Sequence, residues 1–180
     1  RTNCKRKSKF FGLKDMNKYL IKNKKDLVFF DKKIIKKIKH MALRNEKKRA
    51  RICIHKSLRN KTNEMIIALN KNSFIAPHIH PNGKSESYFI MEGKMNVYVF
   101  NKLGKVQKII KMGTYDSGRK FYYRMSKGFY HMPIAVDEWC IYHEVYSGPF
   151  IKKTDVYYPK WSPNENDSDG IKRFLKKINH

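Results

Sequence analysis

The sequence predicts a mainly β protein, an antiparallel sandwich or barrel preceded by helices. Three observations carry that prediction. From Arg51 onward, nine short apolar or alternating runs follow one another with no helical period among them. Turn-forming pairs fall between those runs, at Asn82-Gly83, Glu92-Gly93, Leu103-Gly104 and Ser117-Gly118. Ahead of Arg51 the apolar spacing is that of a helix instead. With 180 residues the chain is long enough for one domain with a core and too short for two comfortable ones.

Taken in order, residues 1–13 are basic and irregular, anchored only by Phe10, Phe11 and Leu13, and read as a poorly ordered arm. Residues 14–50 read as a helical segment packing on the barrel. A short helix is expected over Asp15 to Lys24. A longer one begins at Asp31, a suitable N-cap, and places Ile34, Ile35, Ile38, Met41 and Ala42 on one apolar face before ending near Glu46. The barrel, 51–157, takes its strands from Ile52 to His55, Glu64 to Leu69, Phe74 to His80, Ser87 to Met91, Met95 to Phe100, Val106 to Met112, Lys120 to Arg124, Phe129 to Val136 and Trp139 to Tyr146. The tail, 158–180, is rich in Pro, Asn, Asp and Ser and closes in a short basic helix from Ile171 to Ile178.

Forty-one Lys and Arg against fifteen Asp and Glu leave a net charge of +26, which raises nucleic acid or an anionic surface as a partner. The excess is mostly scattered Lys, whereas specific readers of bases lean on the planar fork of Arg. The charge therefore reads as compositional background, densest from Lys5 to Lys48, and nucleic acid stands as the lesser partner. Three cysteines, Cys4, Cys53 and Cys140, are an odd number without CxxC spacing. They indicate neither a disulfide framework nor a cysteine zinc site, and fit a reducing, cytoplasmic setting with Cys53 and Cys140 as buried thiols. No run approaches the roughly 18 apolar residues of a membrane span.

The chemistry is concentrated in Pro77-His78-Ile79-His80-Pro81-Asn82-Gly83-Lys84-Ser85-Glu86. On a strand, His78 and His80 point to one face with Cα atoms about 7 Å apart, close enough to share one ion. Whether Glu86 joins them depends on register. A two-residue turn at Asn82-Gly83 would pair Glu86 with Ile79 on the wrong face, whereas a loop of three or five residues would pair it with His80 and turn it inward. Two imidazoles and a carboxylate suit one divalent ion, Fe, Mn, Zn or Ni, with open positions and a fourth ligand supplied from elsewhere. His55, His131 and His143 lie on expected strands, His40 on the helix and His180 on the tail.

These motifs resemble a known family. His78-x-His80, Glu86 and Gly93 are similar to the first cupin motif, and Gly128-x-x-His131 to the core of the second. The resemblance implies a small cupin barrel, a double-stranded β-helix or jelly roll, with a three-His, one-Glu site in which His131 is the fourth ligand. A narrower resemblance spans about Phe29 to Asp167. Arg51-Ile-Cys-Ile-His55-Lys-Ser57, Glu64-Met-Ile-Ile-Ala-Leu69, Lys84-Ser-Glu86-Ser, Gly148-Pro-Phe150 and Trp161-Ser-Pro163 look like the WbuC-type cupin metalloproteins. That likeness implies a bacterial polysaccharide setting, lipopolysaccharide O-antigen biosynthesis, with no assigned reaction; cupins also often form homodimers.

Other residues bear on a ligand. His55 is the candidate proton carrier, with a backbone-bonded structural role as its alternative. Arg51 and Arg124 offer forks for a phosphate or carboxylate, and Tyr88 an aromatic face for a sugar or nucleotide-sugar. Glu144 reads as an ion-pair or supporting group. Three functions follow: a metal-dependent enzyme on a small polar molecule, isomerase- or epimerase-like or an iron-dependent oxygenase; a non-enzymatic ligand-sensing barrel; and, as the least favoured, a basic nucleic-acid-binding protein.

Overall fold

The computed structural model describes residues 20–178, so the arm at 1–13 and the first residues of the helix expected over Asp15 to Lys24 lie outside the described residues. The rest of that expected helix is corrected. Leu20–Lys22 is a strand, β1, running parallel to β2 (Arg49–Cys53) with Ile21 opposite Ile52. Asn23 fixes it there: its backbone N–H donates to Cys53 O at 3.1 Å and its side-chain amide to Ile54 O at 2.7 Å. Backbone partners from a neighbouring strand outweigh a weak helical period over so few residues.

Helix α1 (Lys32–Leu43) starts where the sequence indicates, the Asp31 carboxylate accepting from Ile34 N–H at 2.9 Å. It stops before Glu46 because Asn45 redirects the chain. The Asn45 side chain accepts from Lys47 N–H at 3.0 Å, and Lys48 takes a left-handed φ of 50°. Ile34, Ile38 and Ala42 are buried against Ala50, Ile52, Ile66, Ala68 and Ile141, so α1 covers one outer face of the sheet.

The remaining strands are β3 (Thr62–Asn70), β4 (Glu86–Glu92), β5 (Lys94–Phe100), β6 (Val106–Gly113), β7 (Tyr122–Met125), β8 (Tyr130–Ala135) and β9 (Trp139–Ser147). They form a six-stranded sheet in the order β1-β2-β3-β9-β4-β7 and a three-stranded sheet in the order β6-β5-β8. Apart from the parallel β1–β2 pair, the named strands pair antiparallel. The two sheets close on one interior, built from Cys53, Leu69, Ile90, Met95, Val97, Met112 and Tyr142 among others. The fold is a small antiparallel jelly-roll barrel.

The second outer face is covered by the tail. Tyr98, Phe100 and Met132 on the small sheet meet Trp161 and, from α3 (Ser168–Ile178), Phe174, Leu175 and Ile178. The strand expected over Phe74 to His80 shrinks to two paired residues, His78 with His131 and Ile79 with Tyr157. Pro77 and Pro81 bracket them, and proline has no N–H to extend a ladder.

Candidate metal centre

His78 reaches the interior through an antiparallel bridge. His78 N–H donates to His131 O at 3.1 Å and His131 N–H to His78 O at 2.8 Å, so the two rings share a face. Strand alternation brings His80 to the same side. The ring centroids of His78 lie 4.4 Å from His131 and 5.0 Å from His80, and one ligand atom from each of the three falls within 4.8 Å of the others. All three rings are buried.

Glu86 arrives by a different route from any hairpin register. It pairs with Tyr146 and Met125 in the large sheet, whereas His78 bridges to His131 of the small one and Ile79 to Tyr157. The loop between them passes from sheet to sheet through Asn82 and Gly83, both left-handed at φ 65° and 66°. The pairing of Glu86 with either Ile79 or His80 is thus corrected: the carboxylate meets the histidines across the barrel interior. Its oxygens lie 3.3 Å from His80 Nε2 and 3.1 Å from His131 Nε2, with only 2% of the residue exposed. Tyr123 donates its hydroxyl to the same carboxylate at 3.2 Å.

The tautomers follow from the other ring nitrogens. Nδ1 of His78 faces Ala76 O at 2.9 Å, Nδ1 of His80 faces Asp155 O at 2.8 Å and Nδ1 of His131 faces Phe129 O at 2.9 Å. A carbonyl only accepts, so each Nδ1 carries the proton, and in a neutral ring each Nε2 then presents a lone pair to the centre. His80 Nε2 and His131 Nε2 are buried and make no hydrogen bond, despite the short approach to Glu86. A lone pair facing a carboxylate at that range is repulsive unless a proton or a cation stands between them. The donor set therefore fits a divalent cation.

Without a cation the site balances its charge by protons. Burial drives the His78 pKa down to about 3, and the neighbouring His131 and His80 push the same way. Burial also opposes charging His80, but the Glu86 carboxylate beside it prevails and raises its pKa. Burial likewise opposes the Glu86 charge, yet His131 and His80 hold its carboxyl well below the usual range. A cation held on these nitrogens would compete with the protonation of His80 that the Glu86 charge favours, so its affinity would weaken as pH falls.

Across the large sheet, Cys53, Met65, Glu144, Tyr88 and Tyr123 form one cross-strand row on the interior face. Glu144 lies one diagonal step from Glu86, within reach of long side chains. Burial first, then the Glu86 charge, push the Glu144 carboxyl up to about 8. The folded chain thus keeps a proton that the unfolded chain, at its ordinary 4.5, has released. That contribution to stability is full below the unfolded pKa and is lost as pH rises through the folded one. In the metal-free protein, Glu144→Gln is expected to remove this loss. Melting temperatures of wild type and variant, compared at about pH 5 and about pH 9, should diverge in favour of the variant at the higher pH. Parallel pH profiles would contradict the assignment.

The other sequence-level candidates separate. Tyr88 is interior, its ring 4.8 Å from Tyr123 and 4.7 Å from Tyr142. Arg51 is exposed, with one guanidinium nitrogen 3.9 Å from Met65 Sδ. Arg124 faces away from the interior that its neighbour Tyr123 enters, and donates to Ser85 Oγ at 3.0 Å. His55 is engaged by backbone, its Nδ1 accepting from Glu64 N–H at 3.0 Å, and is not part of the histidine cluster. His143 contacts Glu64 Oε2 at 3.3 Å. Sequence reasoning missed the supporting roles of Tyr123, of Tyr146, whose ring packs 4.8 Å from His80, and of Asp155. Only the alternation on β7 and β9 signalled the two tyrosines.

A family model described as a domain of unknown function (DUF6016) matches residues 30–112. No curated protein matches the chain. Among solved structures, an oxalate oxidase in complex with the substrate analogue glycolate is similar at 15% identity and a TM-score of 0.42, over 54% of this chain and 46% of that one. A protein from Shewanella oneidensis is similar at 12% identity and a TM-score of 0.46, over 57% of this chain and 65% of the other. Oxalate decarboxylase from Bacillus subtilis is similar at 13% identity and a TM-score of 0.44, over 61% of this chain and 27% of that one. The chain thus spans under half the length of the oxalate oxidase and about a quarter of the decarboxylase. Likenesses this distant assign neither activity nor ligand. Among the described residues no helix is long and apolar enough to cross a membrane.

Proposed function

We propose that this barrel holds one divalent cation on His78, His80, His131 and Glu86 and uses it to bind or transform a small polar molecule in the barrel interior. A single observation carries the reading. Three Nδ1–H groups are committed to carbonyls at 2.8 to 2.9 Å, which leaves the Nε2 atoms of three clustered histidines for coordination, two of them 3.3 and 3.1 Å from the buried Glu86 carboxylate. A cation on such a set polarises an oxygen of its ligand and leaves the metal among Fe, Mn, Zn and Ni. Around it, the chain's own residues supply a tyrosine hydroxyl that orients Glu86 and a second carboxyl, Glu144, facing the same interior.

The finer reading is a WbuC-type cupin handling a sugar-derived molecule in cytoplasmic polysaccharide assembly, and the motifs of the sequence support it. Catalysis and ligand sensing share this centre, and fold alone does not choose between them. The metal reading is tested by elemental analysis of protein purified without tag or chelator, beside a His78→Ala, His80→Ala variant. About one ion per chain is expected in wild type and none in the variant. Equal metal in both would overturn the reading.

A further inference from the structure

We infer that residues 151–165, a segment far from the HxH motif in sequence, are a working part of the metal centre, with Glu165 as a positioning residue for cation binding. The inference rests on the metal reading above. The segment grips the motif at three points. Tyr157 exchanges two backbone hydrogen bonds with Ile79, both 2.9 Å, and Ile79 is the residue between the two histidines. Asp155 O accepts from His80 Nδ1–H at 2.8 Å and also from the Tyr146 hydroxyl at 3.3 Å. That carbonyl is held in place by its own side chain, buried to 3% exposure, which accepts from Ile151 N–H at 2.9 Å and closes the single turn of α2 (Lys152–Asp155).

The third grip is Glu165. Arg49 Nη2 donates to both of its oxygens, at 3.0 and 2.9 Å, and Lys47 adds a further contact. The same carboxylate accepts from Ala76 N–H at 3.3 Å, and Arg49 also donates to Phe74 O. The pair clamps residues 74–76 just ahead of the motif. Ala76 O is the group that takes the His78 Nδ1–H. The relay from Arg49 and Glu165 through Ala76 fixes the His78 ring, as the Asp155 carbonyl fixes His80. Two of the three imidazoles are therefore aimed by this one segment. Groups that orient a ligating histidine in this way typically change metal affinity by about 10- to 100-fold when removed.

The test uses cobalt(II) as the probe, with affinity from competition against a chelating dye and coordination from the visible ligand-field spectrum. Glu165→Ala is expected to bind cobalt at least about tenfold more weakly than wild type and, at saturation, to show a shifted spectrum. Glu165→Gln keeps an oxygen that accepts from Ala76 N–H and Arg49, and is expected to restore both. Wild-type affinity and spectrum in Glu165→Ala would overturn the role of Glu165 and leave the metal reading standing. Failure of wild type to bind cobalt would instead strike the metal reading itself. If Glu165→Ala does not fold, Arg49→Lys gives up the double contact while keeping the charge, and the same two outcomes decide.

Discussion

His131→Ala is expected to lower divalent-cation affinity by two to three orders of magnitude while the barrel still folds. Four-ligand structural zinc sites bind with apparent free energies of about 10–16 kcal/mol, so one donor is worth roughly 2.5–4 kcal/mol. The backbone bridge between His131 and His78 needs only the amide and carbonyl, which alanine retains. The loss therefore falls on the missing Nε2 and not on the placement of His78. The ring is fully buried, and the space it leaves borders Glu86 and His80, polar enough to accept a water. Competition against a chelator of known affinity measures the change. An affinity within a few-fold of wild type would mean that His131 is not a ligand.

Gly93→Ala is expected to cost about 3 kcal/mol or more of folding stability. Gly93 makes the turn that carries the chain from β4 in the large sheet to β5 in the small one, at φ +73°. A Cβ there would stand 2.0 Å from Trp139 O and 3.1 Å from Trp139 C, both backbone atoms of β9. Because β9 is held between β3 and β4, neither side can yield cheaply. Gly118 is the control, since its φ of +69° is similar but nothing lies within 4 Å of an added Cβ. Gly118→Ala should show only the conformational cost of about 1–2 kcal/mol. Denaturant midpoints at unchanged m-value report both, and equal losses in the two variants would remove the steric argument.

How much of this was legible in the sequence depended on distance along the chain. The alternation of His78 and His80, the cap at Asp31 and the strand-by-strand period are local, and local patterns survive in a sequence. Glu86 reaches His80 and His131 by a route that hairpin register does not describe. Its contact with the histidines comes from a loop that changes sheets, and the side chain enters from the opposite wall of the barrel. Strand β1 was unreadable because its stability comes from β2, some thirty residues on, and not from its own period. Asp155 and Glu165 left no signal at all. Their partners lie 75 residues away at His80 and 116 away at Arg49, and a carbonyl that accepts from a ring nitrogen is available at every position. What the sequence conceals here is the outer support of the histidine cluster, and the clustered residues themselves are what it displays.

The central claim is that one cation sits among His78, His80, His131 and Glu86. An element-specific anomalous difference map from a crystal grown without chelator tests it most directly. The account predicts a single strong peak about 2.0–2.2 Å from three Nε2 atoms and an oxygen of Glu86. A map with no peak there, from protein that elemental analysis shows to carry metal, would contradict it and place the ion elsewhere on the chain.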